Sequence, residues 1–316
     1  MLRSLLAKLT SPAATLLIAA SFLTISFWVL AEQLRTTTPG AIWQAAVAQP
    51  WNHIALSLAF TGVSFACQAL YDFFAVRVVA PGTMNPARPL FAGFAANAIA
   101  NTLGFHVITA SAVRYRIYSR AGLAIGDVLR VISLSSLAIG LSYVAVLAVA
   151  FLLAPVAGHP AHISTPQSFA IGLVLAATLI GLVTWLSGAH RSASIARFKI
   201  EFPGAWIAAI QLVIGVVEMG AAIGALYVLI PMAPPFVPFT IAVVIAVAVG
   251  VVSHTPGAVG VFEATTILLL GGESGPALFA ALLVYRVIYN IVPFAVAAAA
   301  MGLYEVATAS ITGNKR

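Results

Sequence analysis

The chain has 316 residues, 62% of them hydrophobic and only 7% charged, and a water-soluble surface, which needs about a quarter charged residues, cannot be built from that. A single cysteine, Cys67, excludes an internal disulfide and a thiolate metal cluster. The net charge of +7 comes from basic residues in short loops between apolar runs, where they set topology and meet anionic headgroups rather than nucleic acid.

Arg3 and Lys8 precede an apolar run from Pro12 to Leu30. That run is long for a signal peptide and ends in a poor cleavage site, so it reads as an uncleaved first span. Runs able to cross a core of ~30 Å lie at 12–30, 53–79, 131–154, 167–187, 204–230 and 277–305. Two further stretches, 89–110 and 239–271, are apolar but broken. The first holds Asn97, Asn101, His106, Thr109 and Ser111, and the second holds Ser253-His254-Thr255-Pro256-Gly257. Their first limbs are at or below spanning length.

The basic residues decide what these stretches are. If 89–110 is a full span, four basic residues lie inside and ten outside; if both stretches are re-entrant hairpins, thirteen of the fifteen lie in the cytoplasm. The positive-inside rule selects the second arrangement. The expected fold is therefore an all-α polytopic membrane protein of six full spans and two broken re-entrant hairpins, multi-pass in a bacterial cytoplasmic membrane, with both termini cytoplasmic. One hairpin enters from the cytoplasm and the other from outside, which predicts two inverted halves, 1–154 and 155–316, as in many transporters. Local matches agree. Pro86-Ala-Arg-Pro89 parallels Pro235-Phe-Val-Pro238, His106 parallels His254, and Val128-Leu-Arg130-Val-Ile132 echoes Val284-Tyr-Arg286-Val-Ile288.

Non-helical backbone at membrane depth survives only where protein buries it or where it lines a cavity. Two broken hairpins meeting from opposite faces could therefore hold a polar ligand, or simply fill space. The apex candidates are His106 and Ser111 in the first hairpin, and His254, Pro256, Gly257 and Gly260 in the second. Each histidine is a proton carrier or a partner for freed backbone groups. Ionisable residues within spans mark function by default: Glu218 at mid-span, Asp72, and Arg286. Glu263 and Arg114 follow the two apices. The alternative is a structural ion pair, with Glu263 and Arg286 the natural partners. Arg130 is either a phosphate contact matching Arg286 or an interface anchor. Gly220-Ala-Ala-Ile-Gly224 reads as close helix packing. His159 and His162 lack companion ligands, so no metal is expected. No nucleotide-binding loop or nucleophile elbow appears, so neither a cofactor nor catalysis is expected.

The segment Ser111-Ala-Val-Arg-Tyr-Arg-Ile-Tyr-Ser-Arg-Ala-Gly122 resembles the first hairpin of the flippase domain of MprF, the lysylphosphatidylglycerol flippase/synthetase family. Pro256-Gly-Ala-Val-Gly-Val-Phe-Glu263 is similar to the second hairpin of that domain and of the wider lysylphosphatidylglycerol synthase transmembrane (UPF0104) family. The resemblance covers nearly the whole chain. It implies translocation of aminoacylated phosphatidylglycerol between leaflets, with Asp72, Arg114, Glu218 and Glu263 important. Two departures stand out: Ala110, Ser111 and Ala112 occupy the place of the glycines expected at the first apex, and the expectation is a chain without the family's synthetase half.

The expected function is thus a flippase-type translocase of anionic or aminoacylated phosphatidylglycerol. The phosphate would meet arginines, and the amine would meet Glu218 or Asp72. The alternatives are an accessory subunit presenting lipid to a separate synthetase or glycosyltransferase, and a small-anion transporter. The expected partner is membrane phospholipid; a second copy of the chain and a separate lipid-modifying enzyme are further candidates, and nucleic acid is not one.

Overall fold

The structure, a computed structural model, describes residues 39–104, 106–153, 164–187, 192–195, 198–230, 233–253, 255–270 and 275–313. The expected first span at 12–30, His159, His162, His254 and both chain ends lie outside them. The elements are α1 (Pro39–Val47), α2 (Trp51–Val79), α3 (Ala87–Leu103), α4 (His106–Ser119), α5 (Ile125–Leu153), α6 (Thr165–Leu186), the strands β1 (Ser192–Ile195) and β2 (Phe198–Glu201), α7 (Ala205–Tyr227), α8 (Phe236–Val252), α9 (Val261–Leu270), α10 (Gly275–Arg286) and α11 (Val292–Gly313). A 3-10 turn at Pro256–Ala258 separates α8 from α9, and a π turn at Val287–Ile291 carries α10 into α11 without a break. Among the described residues five helices are long and apolar enough to cross a bilayer: α2, α5, α6, α7 and the continuous stretch Ala277–Ala307. The protein is an all-α polytopic membrane protein; its two strands form a small antiparallel hairpin with Ser192 opposite Glu201.

Both broken stretches are helical hairpins. The first limbs, α3 and α8, are each 17 residues long. Each is preceded by a proline, Pro86 or Pro235, and carries a second at its third position, Pro89 or Pro238. Proline there costs no hydrogen bond, because first-turn N–H groups have no intrahelical acceptor. The first limb ends at Gly104, whose φ of 78° suits glycine and penalises residues with a Cβ. The chain then reverses: Ala110 on α4 packs with Ala96 and Ala100 on α3, while Ile117 packs with Ala92. The first apex is therefore at Gly104. Ala110, Ser111 and Ala112 lie inside α4, so the expectation of an apex at Ser111 is corrected, and the lack of glycine there leaves the turn unaffected. In the second hairpin α9 folds back on α8 through Phe262 and Ile267 against Phe239, Val243 and Ala246.

Hydrogen bonds fix the direction of the central pair. Ser57 Oγ near the start of α2 donates to Ala225 O near the end of α7, 2.8 Å, whereas Gln68 Nε2, further along α2, donates to Glu218 earlier on α7, 3.0 Å. The two helices are antiparallel. The hairpin that follows α2 therefore opens at one end of the bundle, and the hairpin that follows α7 opens at the other. Their apices meet: a Cβ built on Gly257 would lie 2.9 Å from Thr102 O. Exposed tryptophans rim both ends, Trp43 and Trp51 at one, Trp185 and Trp206 at the other, the positions favoured at membrane interfaces.

Lipid tails are as apolar as leucine, so helices in a bilayer associate through close packing and polar contacts rather than the hydrophobic effect. Small residues sit where that packing is tightest. A Cβ on Gly93 of α3 would meet Ala69 and the Asp72 side chain at 3.0 Å, and one on Gly215 of α7 would overlap the Ser142 hydroxyl of α5. The Gly220/Gly224 pair performs only half the expected role. Gly224 faces Phe60, whereas Gly220 has open space around it.

Candidate functional site

Helix α2 builds the site. Ser57, Thr61, Ser64, Gln68, Tyr71 and Asp72 recur at helical spacing and are all buried, so one face of an otherwise apolar span is polar throughout. That stripe runs over 16 residues, or about 22 Å between its ends at 1.5 Å per residue. Helices α3, α5, α7 and the π turn close over it, and buried polar groups in such a setting must find partners within the protein.

At its centre is Glu218, with 5% exposure. Its Oε1 accepts from Gln68 Nε2 (3.0 Å) and Ser64 Oγ (3.2 Å). The Tyr289 hydroxyl joins the same cluster, 2.8 Å from Ser64 Oγ and 3.1 Å from Gln68 Nε2, and its ring stacks on Tyr285 at 5.0 Å. No cation pairs with Glu218 among the described residues. One turn along, the Tyr71 hydroxyl lies 2.8 Å from Ser142 Oγ.

Towards the Arg77 end, Asp72 and Arg114 form a sealed pair, 0% and 3% exposed. Arg114 Nε and Nη2 donate to both carboxylate oxygens at 2.8–3.0 Å, and the Tyr118 hydroxyl adds a bond of 2.7 Å. This rivets α4 to α2. The second hairpin has a different lock. Arg286, 18% exposed, donates Nε and Nη2 to Glu263, and Nη1 and Nη2 to the carbonyls of Gly257 (2.6 Å) and Ala258 (3.0 Å). Glu263 also accepts the Gly260 N–H at 2.9 Å. This is the Glu263–Arg286 pairing that the sequence offered as the structural alternative. It also holds Ala258 in the left-handed region, with a φ of 50°, where a non-glycine residue is strained.

Of the remaining sequence candidates, His106 opens α4 beside the first apex and is exposed. Gly257 and Gly260 lie in the second apex with positive φ, and Pro256 begins its 3-10 turn. Arg130 stands apart from the central cluster on α5. It is partly exposed and bonded to Asp127 at 3.0 Å, while its Nε has no partner. Asp72, Arg114 and Glu218 share the α2 stripe; Glu263 and Arg286 join it through Tyr289, three residues beyond Arg286.

Sequence reasoning missed Ser64, Gln68, Tyr118, Tyr289 and Asn290. The α2 stripe was visible as a 57, 61, 64, 68, 72 periodicity. The π turn had no such signal. It brings Asn290 Nδ2 to Asn101 O (3.0 Å) and Asn290 O to the Thr102 hydroxyl (3.0 Å), so the last span clasps the first apex, and π turns recur at functional positions. Among the described residues no group of three or more His, Cys, Asp or Glu side chains could hold a metal ion.

No family model matches the chain. An uncharacterised Synechocystis protein, slr0712, is 31% identical over 231 residues, 68% of each chain. The Escherichia coli K12 inner membrane protein YbhN is 30% identical over 270 residues, 81% of each chain. With five bilayer-length apolar helices and this relationship along most of its length, the chain is a multi-pass inner-membrane protein and belongs to the family of YbhN.

Proposed function

We propose that the chain is a phospholipid translocase, moving anionic or aminoacylated phosphatidylglycerol between leaflets. The observation that carries this reading is a mid-span carboxylate, Glu218, buried with no cation beside it among the described residues, next to two helical hairpins that open at opposite ends. A buried, uncompensated carboxylate in a membrane span is retained for a purpose, and an ammonium headgroup is a ligand of the right charge. Arg130 retains an unpartnered Nε and suits the phosphate. Glu218 is 5% exposed, so cargo reaches it only when a hairpin parts from its span. Hairpins opening at opposite ends provide for alternate exposure, and we read 1–154 and 155–316 as inverted halves on that ground. The resemblance of residues 111–122 and 256–263 to the MprF flippase domain supplies the lipid class.

The cytoplasmic face in this reading is the Arg77 end. Arg77, Arg88, Arg116, Arg120, Arg130 and Lys199 gather there, and the Trp51 end has no Lys or Arg among the described residues. A cysteine at Ala48 should then label from outside intact cells, and one at Ala124 only after permeabilisation; the opposite pattern inverts the orientation. The function itself is tested by reconstituting the purified protein in liposomes carrying fluorescent lysylphosphatidylglycerol in one leaflet. Loss of label from that leaflet faster than in protein-free vesicles supports the translocase; equal rates refute it.

A further inference from the structure

We infer that Glu218 exchanges a proton for the cation of the cargo, so that transport is coupled to a transmembrane proton gradient. The inference deepens the translocase reading and rests on it for the cargo alone; proton binding at Glu218 stands on geometry.

Among the described residues the buried layer contains three carboxylates and two guanidinium groups, and they sort into two matched pairs and one remainder. Asp72 is answered by Arg114 and Glu263 by Arg286. Glu218 is the remainder. Its donors among the described residues are neutral, the Gln68 amide and the Ser64 hydroxyl, and both reach the same oxygen. The groups that face it from neighbouring helices are Cys67 and Tyr71 on α2, Tyr143 on α5, Tyr285 on α10 and Tyr289 in the π turn. None is a cation, and the described residues of α6 and α8, which also pack on α7, contain no titratable side chain. The layer therefore carries one negative charge when Glu218 is ionised and none when it is protonated.

Two species cancel that charge, a proton or the ammonium of a headgroup, and the carboxylate holds one at a time. Binding of the ammonium to the protonated form breaks the O–H bond of Glu218 and leaves a carboxylate–ammonium pair; the proton departs. On the other side a proton re-forms the O–H bond and the ammonium is released. The two positive charges move in opposite directions, and a bare carboxylate is never carried through the closed state. The hydroxyls of Ser64 and Tyr289, in hydrogen-bond contact with each other and with Gln68, give the proton a route off Oε1 that the cargo does not occupy.

Two measurements test this on the full chain. In an infrared pH titration of the purified protein across about pH 5 to 9, a protonated-carboxyl C=O band should appear on acidification. It should be absent in Glu218→Gln and shifted in Glu218→Asp, the variant that keeps the chemistry if Gln disturbs folding. A wild-type spectrum in which Glu218 contributes no titrating band overturns the proton site. In vesicles loaded with a pH-sensitive dye, a proton gradient should speed fluorescent lysylphosphatidylglycerol exchange several-fold, and lipid movement should alter internal pH; Glu218→Gln should lose both. Lipid exchange indifferent to the gradient overturns the coupling and leaves the translocase intact. A titrating Glu218 with no movement of lipid supports the proton site and removes the lipid reading.

Discussion

The two hairpins solve one problem in different ways. In the first, the arginine is on the returning limb and its carboxylate on the preceding span; in the second, the carboxylate is on the returning limb and the arginine on the following span. The Asp72–Arg114 pair sits ten residues past the Gly104 turn, sealed from its surroundings, and touches no apex atom. The Arg286 guanidinium reaches the Gly257 and Ala258 carbonyls directly. The first pair is thus a rivet between limb and span, and its apex relies on glycine, on the Thr109 hydroxyl bonded to Gly104 O at 2.8 Å, and on Asn290. The second pair is a brace for the turn itself. A fold in which one turn is held by backbone preference and the other by a charged side chain has one stiff apex and one that a competing anion could unlock.

The largest effect should come from breaking the rivet. Asp72→Asn or Arg114→Gln leaves a buried charge unmatched and should cost about 3–5 kcal/mol, seen as loss of a monodisperse peak in detergent chromatography. The Asp72→Asn/Arg114→Gln double variant should recover much of the protein, since it leaves neither charge. Equal damage in the single and double variants would show that the pair contributes shape rather than charge balance. The brace should be more tolerant. Arg286→Lys keeps a charge for Glu263 but loses the planar fork across two carbonyls, and a loss of about 1–3 kcal/mol is expected, read as a lower Tm. If Arg286→Lys leaves Tm unchanged, the apex does not depend on the fork and the contrast between the hairpins fails. The smallest effect belongs to the exposed contacts of Arg116 and Arg120 with Glu305, at 2.8 and 2.6 Å. Exposed ion pairs contribute little, so Arg116→Ala should leave Tm unchanged; a clear drop would mean that α4 is held to α11 as firmly as to α2.

How much of this was legible in the sequence varies with the distance over which a signal acts. The prolines at 86, 89, 235 and 238 place both first limbs within three residues of their observed starts, because proline acts on its own helical turn. Glu263 and Arg286 could be paired in advance because they are opposite charges within apolar stretches only 23 residues apart. Arg114 offered no such cue for Asp72, 42 residues away, since many folds could bring either to another partner. Gly104 was one small residue among many in an apolar stretch, while Ser111 stood in the more polar segment and drew the expected apex seven residues too far. The α1 helix and the β1–β2 hairpin lie in segments that the hydropathy pattern left between spans. The membrane assignment needed only composition, and the relationship to YbhN places it in the inner membrane.

The π turn at Val287–Ile291 has a consequence for tolerance to length change. A π turn accommodates one residue more than the α-helical phase allows, and each residue of an α-helix advances the phase by about 100°. Arg286 before the turn and Glu305 after it each meet a fixed partner, and because the turn absorbs its extra residue locally, both halves of the last span keep one continuous helical phase. Deleting a single residue within 287–291 would restore a regular helix and leave that phase unchanged, so Glu305 would still face Arg116 and Arg120; what would be lost is the wide turn that brings Asn290 to Asn101 and Thr102. Such a deletion, invisible to any hydropathy profile, would therefore unclasp the first apex while leaving the rest of the span in place.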